Sequence, residues 1–97
     1  MVQVVIHKAV TGAPASKLAD AELHFTDGAL KGLKLVGFAV WDRGGDQGLG
    51  VTFPARQYVV NGERRHYTLL RAAGDYGATE AVREIVIDEY KRQTAAA

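Results

Sequence analysis

Leu33-Lys34-Leu35-Val36-Gly37-Phe38-Ala39-Val40-Trp41 is the stretch on which the architecture turns. Read as a strand, it puts Leu33, Leu35, Ala39 and Trp41 on one face and Val36, Phe38 and Val40 on the other, because successive side chains of an extended chain point to opposite sides. A strand that is apolar on both faces needs cover on both, or it becomes an aggregation hazard. Its surroundings must therefore supply two layers.

Working outward, the segments before and after it read as half-buried strands. Residues 2–10 set Val2, Val4, Ile6 and Val10 against Gln3 and His7, and Thr11-Gly12-Ala13-Pro14-Ala15-Ser16 breaks the pattern. Residues 19–25 set Ala19, Ala21, Leu23 and Phe25 against Asp20, Glu22 and His24. Thr26-Asp27-Gly28 is a turn signal that predicts an antiparallel connection to residues 33–41. After a glycine-rich connection, residues 49–53 form a short strand, and Pro54 limits further pairing. Asn61-Gly62 between extended segments is the strongest short-range hairpin signal, with a further strand from Glu63 to about Leu70.

Beyond Gly74-Asp75-Tyr76-Gly77 the period changes. With Thr79 as N-cap, Val82, Ile85, Val86 and Tyr90 form an apolar helical stripe, and Glu84, Asp88 and Lys91 point outward. Glu80 and Glu84 near the start and Lys91 and Arg92 near the end suit the helix dipole. Residues 94–97 are expected to fray. The expected fold is α+β: an antiparallel sheet of about four to five strands with one C-terminal helix, in a single domain over residues 1–97 whose ordered core spans about 2–92. One helix covers one sheet face, so an identical subunit is the simplest second cover. This predicts a homodimer with Leu33, Leu35, Val36, Phe38, Val40 and Trp41 at its interface.

Ninety-seven residues, 47% hydrophobic and 24% charged, suit one globular domain rather than a disordered chain. A chain this short has a thin margin of stability, which association would widen. With no cysteine there is no disulfide, thiolate nucleophile or cysteine metal site. No apolar run reaches the roughly 18 residues of a membrane span, and Met1-Val2-Gln3-Val4 lacks a signal-peptide n-region. A cytoplasmic protein of bacterial type is expected. Net charge is only +1, yet residues 54–76 carry Arg56, Arg64, Arg65 and Arg71 against Glu63 and Asp75. Local charge, not global charge, raises nucleic acid as a partner.

Catalytic and ligand chemistry finds little footing. The cluster Gly44, Gly45, Gly48 and Gly50 lacks the Lys-Ser/Thr of a P-loop and precedes a strand rather than a helix. His7, His24 and His66 are dispersed, and no further ligands mark a metal site. Ser16, the only serine, lies in a Gly/Pro loop, and the carboxylates Glu80, Glu84, Asp88 and Glu89 read as a solvated helix face. No catalytic residue, metal or cofactor is expected. The hairpin is different. A two-residue turn at Asn61-Gly62 sets Val60 opposite Glu63, Tyr58 opposite Arg65 and Arg56 opposite Tyr67, so Arg56, Tyr58, Arg65 and Tyr67 share a face. Guanidinium groups pair with phosphates and aromatic rings stack on bases. The competing reading packs both tyrosines into the core and leaves the arginines solvated or paired with acids across a subunit boundary.

The run Leu35-Val36-Gly37-Phe38-Ala39-Val40-Trp41-Asp42, a Gly-rich turn, Leu49-Gly50-Val51-Thr52-Phe53-Pro54-Ala55-Arg56, then Asn61-Gly62-Glu63, resembles the stage V sporulation protein G (SpoVG) septation-protein family. Residues 81–90, with Glu89-Tyr90 near the end, are similar to the family's closing helix, so the resemblance covers residues 2–92. It implies a homodimeric regulator that binds DNA, and in some members RNA, with roles in septation, sporulation or gene control. It also implies basic contacts in the loop after the proline-ended strand, where Arg56 matches, and near the helix entrance, where Arg71 and Arg83 lie. Gln57 departs from a position often basic in the family, and Tyr58-Val59-Val60 replaces a shorter turn. The resulting expectation is a non-enzymatic nucleic-acid-binding protein in which Arg56, Arg64, Arg65, Arg71 and Arg83 contact phosphates and Tyr58 or Tyr67 stacks. The alternatives are a protein-interaction module and, more distantly, a small-molecule-binding domain.

Overall fold

The computed structural model describes residues 2–96. Four strands form an antiparallel meander in the order β1 (Val2–Lys8), β2 (Lys17–Phe25), β3 (Lys34–Asp42), β4 (Leu49–Thr52). A separate two-stranded sheet pairs β5 (Ala55–Val60) with β6 (Glu63–Thr68), and helix α1 (Ala78–Ala96) closes the chain. The α+β class is as the sequence predicts. Pro54, which has no amide hydrogen to give a ladder, separates β4 from β5 and so makes two sheets of what reads as one.

Helix α1 packs across β1, β3 and β4. The core between them holds Ala19, Ala21, Leu23, Phe38, Val40, Val51 and Val86. Val4, Ile6, Leu35, Phe53, Val82, Ile87 and Tyr90 pack around it. Phe38 and Phe53 meet edge to face at 5.2 Å between ring centroids, the arrangement that the ring quadrupoles favour.

The pairing of β2 with β3 corrects the two-faced reading of residues 33–41. Ala21 pairs with Phe38 and Leu23 with Leu35, so Val36 and Gly37 together oppose the single residue Glu22. The extra residue is a β-bulge, and Gly37 supplies the positive φ of 105° at that point. The bulge turns Leu35 onto the same face as Phe38 and Val40, beneath α1. Leu33 lies outside the strand, in the preceding turn, with its amide bonded to the Leu30 carbonyl at 2.9 Å. Phe38 and Val40 are fully buried within the single chain, so they cannot line a subunit interface as expected. Val36 is exposed, while Ala39 is buried and Trp41 half-buried on the second face. There the Trp41 Nε1–H donates to Thr52 Oγ1 at 2.9 Å. Apart from the half-buried Val5 opposite Glu22, the rest of that face carries Gln3, His7, Asp20, Glu22 and His24 in facing register. It suits water, and the demand for a second apolar layer disappears.

The helix also begins and ends differently. The Asp75 carboxylate accepts the Gly77 N–H at 2.9 Å and the Asp75 carbonyl accepts that of Ala78 at 3.1 Å. This local turn starts the helix ahead of Thr79, which sits inside it and donates to the Tyr76 carbonyl at 3.5 Å. At the far end α1 runs on through Thr94, whose hydroxyl donates to the Tyr90 carbonyl at 3.0 Å; of the expected frayed tail, Ala97 lies outside the described residues. Val86 is fully buried and Val82, Ile87 and Tyr90 are half-buried against the core, whereas Ile85 is 40% exposed beside β1.

Two substitutions test this core. Phe38→Ala is expected to cost about 3–5 kcal/mol. Gly37→Ala is expected to cost about 1–3 kcal/mol, because an added Cβ would meet Pro54 Cβ at 3.0 Å and the φ of 105° disfavours any side chain. Urea unfolding should show lower midpoints with an unchanged slope.

Candidate nucleic-acid interface

The β5–β6 hairpin has the expected register: Val60 opposite Glu63, Tyr58 opposite Arg65 and Arg56 opposite Tyr67. Asn61 at φ 51° and Gly62 at φ 82° both adopt the left-handed region. A type I′ turn requires this of its two central residues, and its twist matches that of the flanking strands. Every residue of the two strands except Thr68 is exposed. The hairpin is an arm, and the molecule is correspondingly elongated. Its radius of gyration is 14.8 Å and its extents are 48 × 37 × 25 Å, against about 12.5 Å of radius for a compact chain of this length.

One face of the arm carries Arg56, Tyr58, Arg65 and Tyr67. The two tyrosines lie diagonally across the strands with ring centroids 5.6 Å apart. They are 39% and 40% exposed, so each covers the other rather than entering the core. Arg65 reaches Glu63 at 3.2 Å with both side chains open to water, a pair of small energetic weight. Arg56 makes no ion pair among the described residues. Arg64 falls on the opposite face with Val59 and His66, as period-two geometry requires; it does not join the arginine–tyrosine surface.

At the base of the arm, Thr68 lines a cleft of about 460 Å³ with Phe53, Leu70, Arg71, Tyr76, Thr79 and Arg83. Arg71 is exposed at its rim, and Tyr76 is 88% exposed. The Arg83 guanidinium stacks over Phe53 at 5.3 Å from the ring centroid and pairs with Glu80. Arg83 is thus held between Phe53 and Glu80, while its buried Nε has no hydrogen-bond partner. Two positively charged regions follow, the arm face and the cleft that adjoins its base.

A second polar cluster escapes sequence reading. On the open face of the four-stranded sheet, His24 Nε2 lies 2.9 Å, Lys34 Nζ 3.4 Å and His7 Nε2 3.6 Å from Glu22 Oε1. Alternation places Glu22 and His24 on one face of β2, but only the β1–β2 and β2–β3 registers bring His7 and Lys34 to them. The hydrogen bond from His24 is the largest influence, with Lys34 and His7 adding to it against the opposing effect of desolvation, and Glu22 is held below the ordinary glutamate range. No His, Asp and Glu group among the described residues is arranged to hold a metal ion, and none of the described helices is long and apolar enough to cross a membrane. The chain matches no family model, no curated protein and no solved structure at a significant level.

The Glu22 carboxyl should titrate by NMR below free glutamate, and His24→Ala should move its midpoint back up. Because the folded value is depressed, the stabilisation from this cluster is present above the ordinary glutamate range and is lost as pH falls through the folded value. Glu22→Gln should therefore lower the melting temperature at neutral pH and cease to matter in acid.

Proposed function

We propose that this chain is a non-enzymatic, homodimeric regulator that binds nucleic acid through its β5–β6 arm. The observation that carries the reading is the protruding, solvent-exposed face on which Arg56, Tyr58, Arg65 and Tyr67 alternate. Guanidinium groups pair with phosphates through strong, often bidentate hydrogen bonds, and half-exposed tyrosine rings offer stacking platforms that tolerate any base. Unpaired bases suit such platforms better than a closed duplex does. The arm enters the partner, and Arg71 at the rim of the basal cleft extends the positive path; Arg83, anchored on Phe53 and Glu80, shapes that cleft and adds charge to it. The resemblance to the SpoVG septation-protein family supports the same class of activity and suggests a role in septation- or sporulation-type gene control within the cytoplasm.

A protein-interaction module is the alternative, and one feature favours it: Val59 is 69% exposed on the opposite face of the arm. The two readings respond oppositely to salt. Nucleic-acid affinity should fall steeply as salt rises, and Arg56→Ala/Arg65→Ala should reduce the slope of log affinity against log salt by about 1.4 for a single strand, as expected for two lost phosphate contacts. Tyr58→Ala should weaken binding about tenfold or more, through lost stacking. Fluorescence anisotropy with labelled single-stranded DNA and RNA reads both effects. Unchanged affinity and slope in the arginine double variant would remove the arm face as the site. Partner capture that survives high salt and is lost in Val59→Ser would establish the alternative.

A further inference from the structure

Strand β1 is the open end of the four-stranded sheet, and it is unguarded. Its residues pair with β2 in unbroken register from Val2–Phe25 to Lys8–Ala19, and it contains neither proline nor glycine. The opposite edge, β4, is only four residues long and runs into Pro54. Proteins usually blunt exposed edges by shortness, proline, bulges or central charges. Here β4 is blunted, whereas β1 offers Val4, Val5 and Ile6 at its centre.

We infer that β1 pairs antiparallel with β1 of a second copy, about a two-fold axis through Val5, joining the two four-stranded sheets into one. This rests on the two-copy assembly proposed above and not on nucleic-acid binding. The sequence of β1 is self-complementary in that register. Val5 faces the partner's Val5, Val4 faces the partner's Ile6, and Gln3 faces the partner's His7. Val4 and the partner's Ile6 meet on the helix side, and on the open side the central Val5–Val5 pair is flanked by the two Gln3–His7 pairs, each contact occurring twice about the axis except the central one, as a two-fold contact demands.

Charge fixes the register further. Val2 opposes the partner's Lys8, and Val2 lines a groove between β1 and α1 whose other wall includes Ile85, Asp88, Glu89 and Arg92. Glu89 is already engaged by Arg92 and Gln93. Asp88 and Lys8 are exposed and make no ion pair among the described residues. Lys8 points to the helix side, since it lines a second groove with Ile6 and Tyr90. Pairing therefore delivers each Lys8 to an unpaired acidic side chain of the other copy, twice by symmetry, and covers Val2 and Ile85, 41% and 40% exposed in the single chain.

Light scattering over a concentration series tests the proposal, with wild type expected at twice the 10.5 kDa chain mass. Lys8→Glu and Asp88→Lys should each weaken the dimer by about tenfold or more, as like charges now face each other. The double reversal Lys8→Glu/Asp88→Lys should restore it. Circular dichroism on these exposed-site variants confirms that each is folded. A wild-type chain that stays at the monomer mass into the millimolar range overturns both the assembly and the edge pairing. A dimer that ignores either single reversal, or that the double reversal does not restore, overturns the β1 interface and leaves the assembly standing. Protection of the β1 amides from hydrogen exchange should rise with protein concentration, and unchanged protection in a proven dimer would likewise overturn it.

Discussion

Gly37 lies against Pro54, with the ideal Cβ position of the glycine 3.0 Å from the proline Cβ, and much of the molecule follows from that approach. A side chain at residue 37 would push Pro54 away, and a residue confined to negative φ would not form the bulge. With the bulge in place, β3 directs Leu35, Phe38 and Val40 to one side, where α1 covers them. A regular strand would have divided those residues between the two faces, leaving a large apolar side chain in water whichever face the helix took.

The same contact governs where the arm begins. Pro54 is buried, and its carbonyl accepts the Leu69 N–H at 2.9 Å, so both ends of the β5–β6 hairpin are tied at one point beside the core. From there the hairpin projects with little more than its own cross-strand contacts to hold it. Isolated hairpins are marginal in water; the type I′ turn and the Tyr58–Tyr67 contact are the devices that favour this one. A lightly supported arm is also an adaptable one, which suits the proposed contact with a flexible strand of nucleic acid better than it suits a rigid lock-and-key contact.

The two faces of the meander have divided their work. The helix side is closed by aliphatic and aromatic contacts, whereas the other gathers His7, His24 and Lys34 around Glu22 and keeps water as its neighbour. An apolar dimer interface across β3 has no place in that arrangement. For the proposed assembly there remains an edge, not a face, and the β1 register inferred above lies along it.

The sequence by itself determined the elements whose causes are local. The alternation of residues 19–25, the Asn61-Gly62 turn with its full hairpin register, and the apolar line through Val82, Val86 and Tyr90 were legible because turn chemistry and side-chain period act over a few residues. The arginine–tyrosine face of the arm was legible for the same reason. Sequence reading failed where distant partners decide. Glycine at residue 37 fits an ordinary strand as well as a bulge until the register against β2 is set and Pro54 beyond β4 lies against it, and His7 says nothing of Glu22 until β1 and β2 pair. Thr79 has the right chemistry for a cap, yet the turn made by Asp75 preceded it. Local preferences chose the strands, the turn and the helix; steric and hydrogen-bonding contacts between segments far apart in the chain chose which side of each strand stays dry.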